Sequence, residues 1–288
     1  MWVFRYSISV SEHLHLRQSE AQKIGECDRL PEVISDELWR EMRTLMQPKT
    51  IQTHKGKLDV IDFPAQDQKT EIPTVLMSGY AETPHTFIAQ FYGLQRLGRR
   101  VVSVATNHGV ETERNNKYSH SHLMKAEAVI AAIDALGIQK ADMVGHSQGA
   151  VEASILASLY PDRVHSLLLM NPAGLGKRKG LLPLVSSWSV SVMNAVTGGI
   201  RARNNPTRKR LGVLGGTEAV AYIKSGIRAS VLQVLGLWRT SIAPLVREAH
   251  KKGIPVSIVS SKLDYLFPLW RNPKRLSRET GIPETRLH

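Results

Sequence analysis

Cysteine is nearly absent from this sequence. Cys27 is the sole one in 288 residues, so no intrachain disulfide can form and the fold cannot depend on an oxidising compartment. Long apolar runs are missing as well: no stretch reaches the ~18 uninterrupted apolar residues of a membrane span. Residues 1–10 carry Trp2, Arg5 and Tyr6 but no apolar segment of secretory-leader length followed by small residues. The expectation is a soluble, cytoplasmic protein. Acidic residues are lacking in one long segment. Between residues 163 and 217 there are nine Lys or Arg and no Asp or Glu, in a chain of formal charge +13. Neither a zinc-ligand spacing nor an interleaved aromatic platform accompanies that charge, so nucleic-acid binding has no motif behind it. No internal repeat and no low-complexity tract is present.

What is there suits one large α/β core, which at this length buries roughly three quarters of its unfolded surface. Residues 1–48 are polar apart from a stripe of Ile34, Leu38, Trp39, Met42, Leu45 and Met46, whose spacing predicts a leading helix packed on the core. Two alternating runs at 51–54 and 58–63, with a turn at Lys55-Gly56, predict a β-hairpin. Strands at 74–77, 100–105, 141–145 and 164–170 then alternate with helices at 86–97, 122–136 and 149–160. That rhythm predicts a mostly parallel sheet with helices on both faces. Residues 175–240 break the rhythm with glycines, prolines and helical segments, and read as a cap inserted between a first core part, 49–174, and a second, 241–288. The second part opens with a helix at 244–251 and a strand at 255–260.

The chemistry is concentrated in Gly145-His146-Ser147-Gln148-Gly149, a Gly-x-Ser-x-Gly between an apolar strand and an Ala-rich helix. A sharp strand-to-helix turn holds the serine in strained geometry, and glycine on either side lets strand and helix approach closely. The helix N-terminus then faces the point where negative charge would develop on a substrate oxygen.

On these residues the chain resembles the α/β-hydrolase superfamily, from about residue 50 onward. Residues 74–80, ending Ser78-Gly79-Tyr80, look like that family's first parallel strand and oxyanion loop, with Ser78 where a histidine is common. Tyr160-Pro161-Asp162-Arg163-Val164 resembles its turn into the next strand. The resemblance implies Ser147 as nucleophile, oxyanion donors in the backbone N–H groups of Gln148 and Tyr80, and Asp264 as the acid in the loop after strand 255–260. Taken alone, an Asp beside a proline is a turn former. A serine hydroxyl also needs a base oriented by that acid. After Asp264 only His288 remains, and 284–288 read as the opening of the last strand, so the family's histidine is expected several residues further on. His146 reads as packed, whereas His85 and His108, in loops after strands, are weaker candidates.

No metal or organic cofactor is implied. A serine nucleophile argues against the dehalogenase and epoxide-hydrolase branches, where a carboxylate attacks. The expected activity is hydrolysis of a carboxylic ester or related acyl bond of a small-molecule substrate, by an esterase or lipase-like enzyme. The cap residues Lys177, Arg178, Lys179, Arg201, Arg203, Arg208, Lys209 and Arg210 lie among leucines and valines. They read either as a solvated cationic face or as a surface for anionic lipid or an acidic substrate. Two rivals stay open: a non-catalytic binding protein on the same fold, and a basic surface-associated protein.

Overall fold

The structure, a computed structural model, describes residues 36–65, 67–80, 82, 84–104, 121–175, 235–260 and 273–287. The chain opens there with α1, Asp36–Leu45, followed by β1, Lys49–Thr53, and β2, Gly56–Phe63. Next come β3, Thr74–Met77; a 3-10 turn, Pro84–Phe87; α2, Ile88–Arg96; and β4, Val101–Val104. Then follow α3, His122–Ala135; β5, Ala141–His146; α4, Gly149–Leu159; and β6, Val164–Met170. The described chain closes with α5, Ala243–Lys251; β7, Val256–Val259; α6, Pro273–Thr280; and a 3-10 turn, Glu284–Arg286.

These strands form a seven-stranded sheet in the order β1-β2-β4-β3-β5-β6-β7. Strands β1, β2 and β4 pair antiparallel, and every pairing from β4 to β7 is parallel. Strands β3, β4 and β7 are buried at all four positions, as parallel strands covered on both faces must be. Alternate side chains divide between two cores. Met143, Leu167 and Leu169 pack with α3, α4 and α5, whereas Val144, Leu168 and Met170 pack with α1 and α2. Helices therefore cover both faces.

The hairpin forms with its turn one residue earlier than expected, at His54-Lys55, so that Thr53 pairs with Gly56. Among the described residues the leading helix runs Asp36–Leu45. Met42 and Met46 are buried, but Leu45 is 50% exposed, because one helical turn can present only one narrow face to the sheet. Residues 284–286 make a 3-10 turn rather than a strand, and only Leu287 bridges the sheet, at Ile258. Residues 176–234, with most of the expected cap and all of its clustered basic residues, lie outside the described residues. Among the described residues no helix is long and apolar enough to cross a membrane.

The register decides where a site can form. Met77 lies opposite Gly145, His146 opposite Met170, and Met170 opposite Val259. The carboxyl ends of β3, β5, β6 and β7 are thus level, and the loops that follow them leave from one edge, where open α/β sheets bind their ligands.

Candidate active site

Strand β5 is buried from Ala141 to Gly145, and α4 begins at Gly149, so the chain reverses within the residues between them. Ser147 makes the reversal with φ +51°, a left-handed conformation that costs a non-glycine residue of order 1–3 kcal/mol. Three hydrogen bonds hold it there. The Ser147 N–H donates to the Met170 carbonyl at 3.0 Å, and the Ser147 carbonyl accepts from Ala173 N–H at 3.0 Å and Ala150 N–H at 3.2 Å. Asn171, at the end of β6, is left-handed too (φ +41°), and its N–H donates to the Val259 carbonyl at 2.8 Å.

The two flanking glycines are needed for space. A Cβ on Gly145 would stand 2.5 Å from the Gly149 carbonyl oxygen and 2.6 Å from Ala150 Cα. One on Gly149 would overlap the Met77 carbonyl oxygen and stand 2.7 Å from that of Ser78. Helix α4 therefore starts in direct contact with the end of β3. The loop after β3 closes on the nucleophile from the same side, since a Cβ on Gly79 would meet Ser147 Cβ at 3.0 Å. The structure thus brings together the turn bearing Ser147 and Gln148 and the loop bearing Gly79 and Tyr80. Gln148 is fully buried and Tyr80 half-buried.

Glu82 was missed by sequence reasoning, and it links the two elements. Its Oε2 accepts the Gly79 N–H at 2.6 Å and lies 2.8 Å from His146 Nδ1, a hydrogen bond in which the carboxylate can only accept. Its own N–H donates to the Gly79 carbonyl at 3.2 Å. His146 is therefore not simply packed: it is 22% exposed and straps the elbow to the oxyanion loop. A lone glutamate in a loop carries no periodic signal, and the one hint available was its place three residues after Gly79.

His85 is directed elsewhere. It is half-buried in the 3-10 turn, and its pKa is lowered by burial and then by the Arg43 guanidinium of α1, against a smaller upward pull from a hydrogen bond to the Met46 backbone. Asp264, His108 and His288 lie outside the described residues. Among the described residues no group of three or more His, Cys, Asp or Glu could hold a metal ion.

The comparisons bear on the fold. The family model described as alpha/beta hydrolase fold matches residues 73–196, the stretch that contains β3 through β6. Over 54 residues the chain is 46% identical to a 2-hydroxy-6-oxo-6-phenylhexa-2,4-dienoate hydrolase of Comamonas testosteroni, covering 19% of each chain. Over 111 residues it is 34% identical to a 2-hydroxymuconate semialdehyde hydrolase of Pseudomonas putida, covering 38% of this chain and 39% of that one. The chain thus matches about a fifth of the length of the first of these relatives. A meta-cleavage product hydrolase from Pseudomonas fluorescens superposes with a TM-score of 0.59 at 18% identity, over 85% of this chain and 87% of that one, which is a likeness of fold. Sheet order, strained serine turn and structural likeness converge on one statement: the chain has the α/β-hydrolase fold, and its residues 73–196 match the model of that family.

Proposed function

We propose that the protein is a serine hydrolase that cleaves a carboxylic ester or related acyl bond through an acyl-enzyme on Ser147. The observation that carries the proposal is Ser147 at φ +51° between glycines that leave no room for a side chain. A fold retains strain of that kind where it serves a site. Ser147 Oγ attacks the acyl carbon while its proton passes to a histidine oriented by Asp264. The carbonyl oxygen becomes an oxyanion that accepts hydrogen bonds from the backbone N–H groups of Gln148 and Tyr80. Collapse expels the leaving group with the proton returned from the histidine, and water then hydrolyses the ester on Ser147. The role of Asp264 is supported by its place five residues after β7, whose end is level with that of β6.

Residues 175–240 would form a helical cap over the same edge. Its basic residues suit an acidic small-molecule substrate or an anionic lipid surface.

The relatives' names favour a second substrate class for the same machinery. Both curated relatives above are hydrolases of oxo- or semialdehyde-bearing dienoate-type acids, and for a substrate of that kind the bond broken joins two carbons. Parallel assays on a p-nitrophenyl ester and on a 2-hydroxy-6-oxo-dienoate separate the two. Turnover of either that vanishes in Ser147→Ala is the expected result, and turnover that survives the substitution would overturn the proposal.

A further inference from the structure

Glu152 takes no part in the steps above, yet it is fully buried, at 0% exposure, in the first turn of α4. Its neighbours Ala150, Val151 and Ala153 are apolar and buried as well. An alkyl side chain would satisfy packing there, and an ionised carboxylate so placed is costly unless charges and hydrogen bonds surround it.

They do surround it. Gln148 Nε2 donates to Glu152 Oε1 at 3.0 Å. His122 Nδ1 stands 3.9 Å from the same oxygen, too long for a hydrogen bond but within ion-pair reach. Lys125, itself 3% exposed, adds a positive charge. Burial is the largest single influence on the Glu152 carboxyl and pushes its pKa up. His122, Lys125 and Gln148 together outweigh it and hold the pKa below the ordinary glutamate value.

Gln148 is the residue whose backbone N–H is the proposed oxyanion donor. Its side chain makes no capping bond to α4 and runs instead to Glu152. The Gln148 N–H belongs to the peptide that follows left-handed Ser147, and the carbonyl of the same peptide accepts from the Ala150 and Ala173 N–H groups. A rotation of that peptide would break those two bonds and turn the N–H away. Pinning the Gln148 side chain opposes the rotation.

We infer that Glu152 is a positioning residue for the oxyanion site: with Lys125 as its counter-charge and His122 beside it, it anchors the Gln148 side chain and so helps to set the direction of the Gln148 backbone N–H. The inference rests on the reading of Ser147 as the nucleophile.

The test uses the full chain and a fluorophosphonate, with the first-order phosphonylation rate measured apart from the reagent's half-saturating concentration. Loss of a whole oxyanion donor costs about 10²–10³-fold. A donor left in place but free to turn should cost less, roughly 10-fold or more in rate in Glu152→Ala, with half-saturation little changed. Glu152→Gln keeps an acceptor for Gln148 Nε2 and should recover most of that rate. Gln148→Ala should lose a similar factor, and the double variant should lose no more than either single one. Additive losses, or a Glu152→Ala rate equal to wild type, would overturn the inference. A fall in melting temperature with no change in the rate of the folded protein would overturn it too, by making Glu152 merely structural. If Glu152→Ala does not fold, Gln148→Ala and Glu152→Gln carry the comparison. Hydrogen exchange at the Gln148 amide gives a readout that needs no activity: faster exchange in Glu152→Ala supports the anchor and an unchanged rate refutes it. An unlabelled wild-type chain would bring down the nucleophile reading, and the exchange measurement would still decide the role of Glu152.

Discussion

Replacing Gly149 by alanine tests how the site is assembled. The added Cβ would stand 2.6 Å from the Met77 carbonyl carbon and 2.7 Å from the Ser78 oxygen. Ordinary contacts are about 3.5 Å between carbons and about 3.3 Å between carbon and oxygen, and the Met77 carbonyl oxygen would be closer still, so α4 and the end of β3 would have to part by about 1 Å. Both obstacles are backbone, and no rotamer change can remove them. Overpacking of this kind costs about 1–3 kcal/mol; with rigid neighbours the upper half of that range applies, and the melting temperature should fall by about 5–10 °C. The separation opens between Ser147 and the Gly79-Tyr80 loop. A misplacement near 1 Å costs roughly 10²-fold in rate, so fluorophosphonate labelling of the folded variant should slow by about that factor. Thermal denaturation and labelling kinetics on the same preparation give both numbers. A Gly149→Ala protein that melts and labels like wild type would refute the close contact of α4 with β3 on which the site is built.

Gly93, inside α2 with nothing within 4 Å of an added Cβ, makes the opposite case: Gly93→Ala should stabilise by about 0.5–1 kcal/mol in urea titration, as expected for a helical glycine. At the other end of β5, buried Asp142 accepts from Arg99 Nη1 at 2.7 Å, His165 Nδ1 at 2.7 Å and Ser166 Oγ at 2.5 Å. Asp142→Ala should cost about 3–5 kcal/mol by removing the carboxylate that faces the buried Arg99 guanidinium, while the labelling rate of the folded fraction stays within about twofold of wild type. His85 makes stability depend on pH. Its folded pKa lies below 6.5, so between the two values the unfolded chain binds more protons, and stability should rise with pH until about 6.5 is passed. The urea midpoint followed from pH 5 to 7.5 should show this rise, and His85→Gln should flatten it.

The order of strands and helices was legible because each buried strand is a short, mostly apolar run and each helix carries its own periodicity. Val101–Val104 and Ala141–His146 are found where they were expected, to within a residue or two. The serine turn was legible for a steric reason, since glycines at 145 and 149 are what a tight strand-to-helix crossing requires. What escaped notice has no pattern along the chain. Glu82 and His146 are 64 residues apart in sequence, and their bond exists only once β3 and β5 are adjacent. Glu152 and His122 were hidden in the same way, as a polar pair that α3 and α4 bring face to face inside an apolar layer. The stripe on the leading helix overreached at Leu45 because hydrophobicity alone does not say where a helix stops touching the core.

Intact-mass detection of a fluorophosphonate adduct on this chain, with Ser147→Ala alongside, bears most directly on whether Ser147 is an activated nucleophile. A single adduct that disappears in the variant is the expected result. An adduct that persists in Ser147→Ala, or none on a wild-type protein that carries the histidine expected after Asp264, would contradict it.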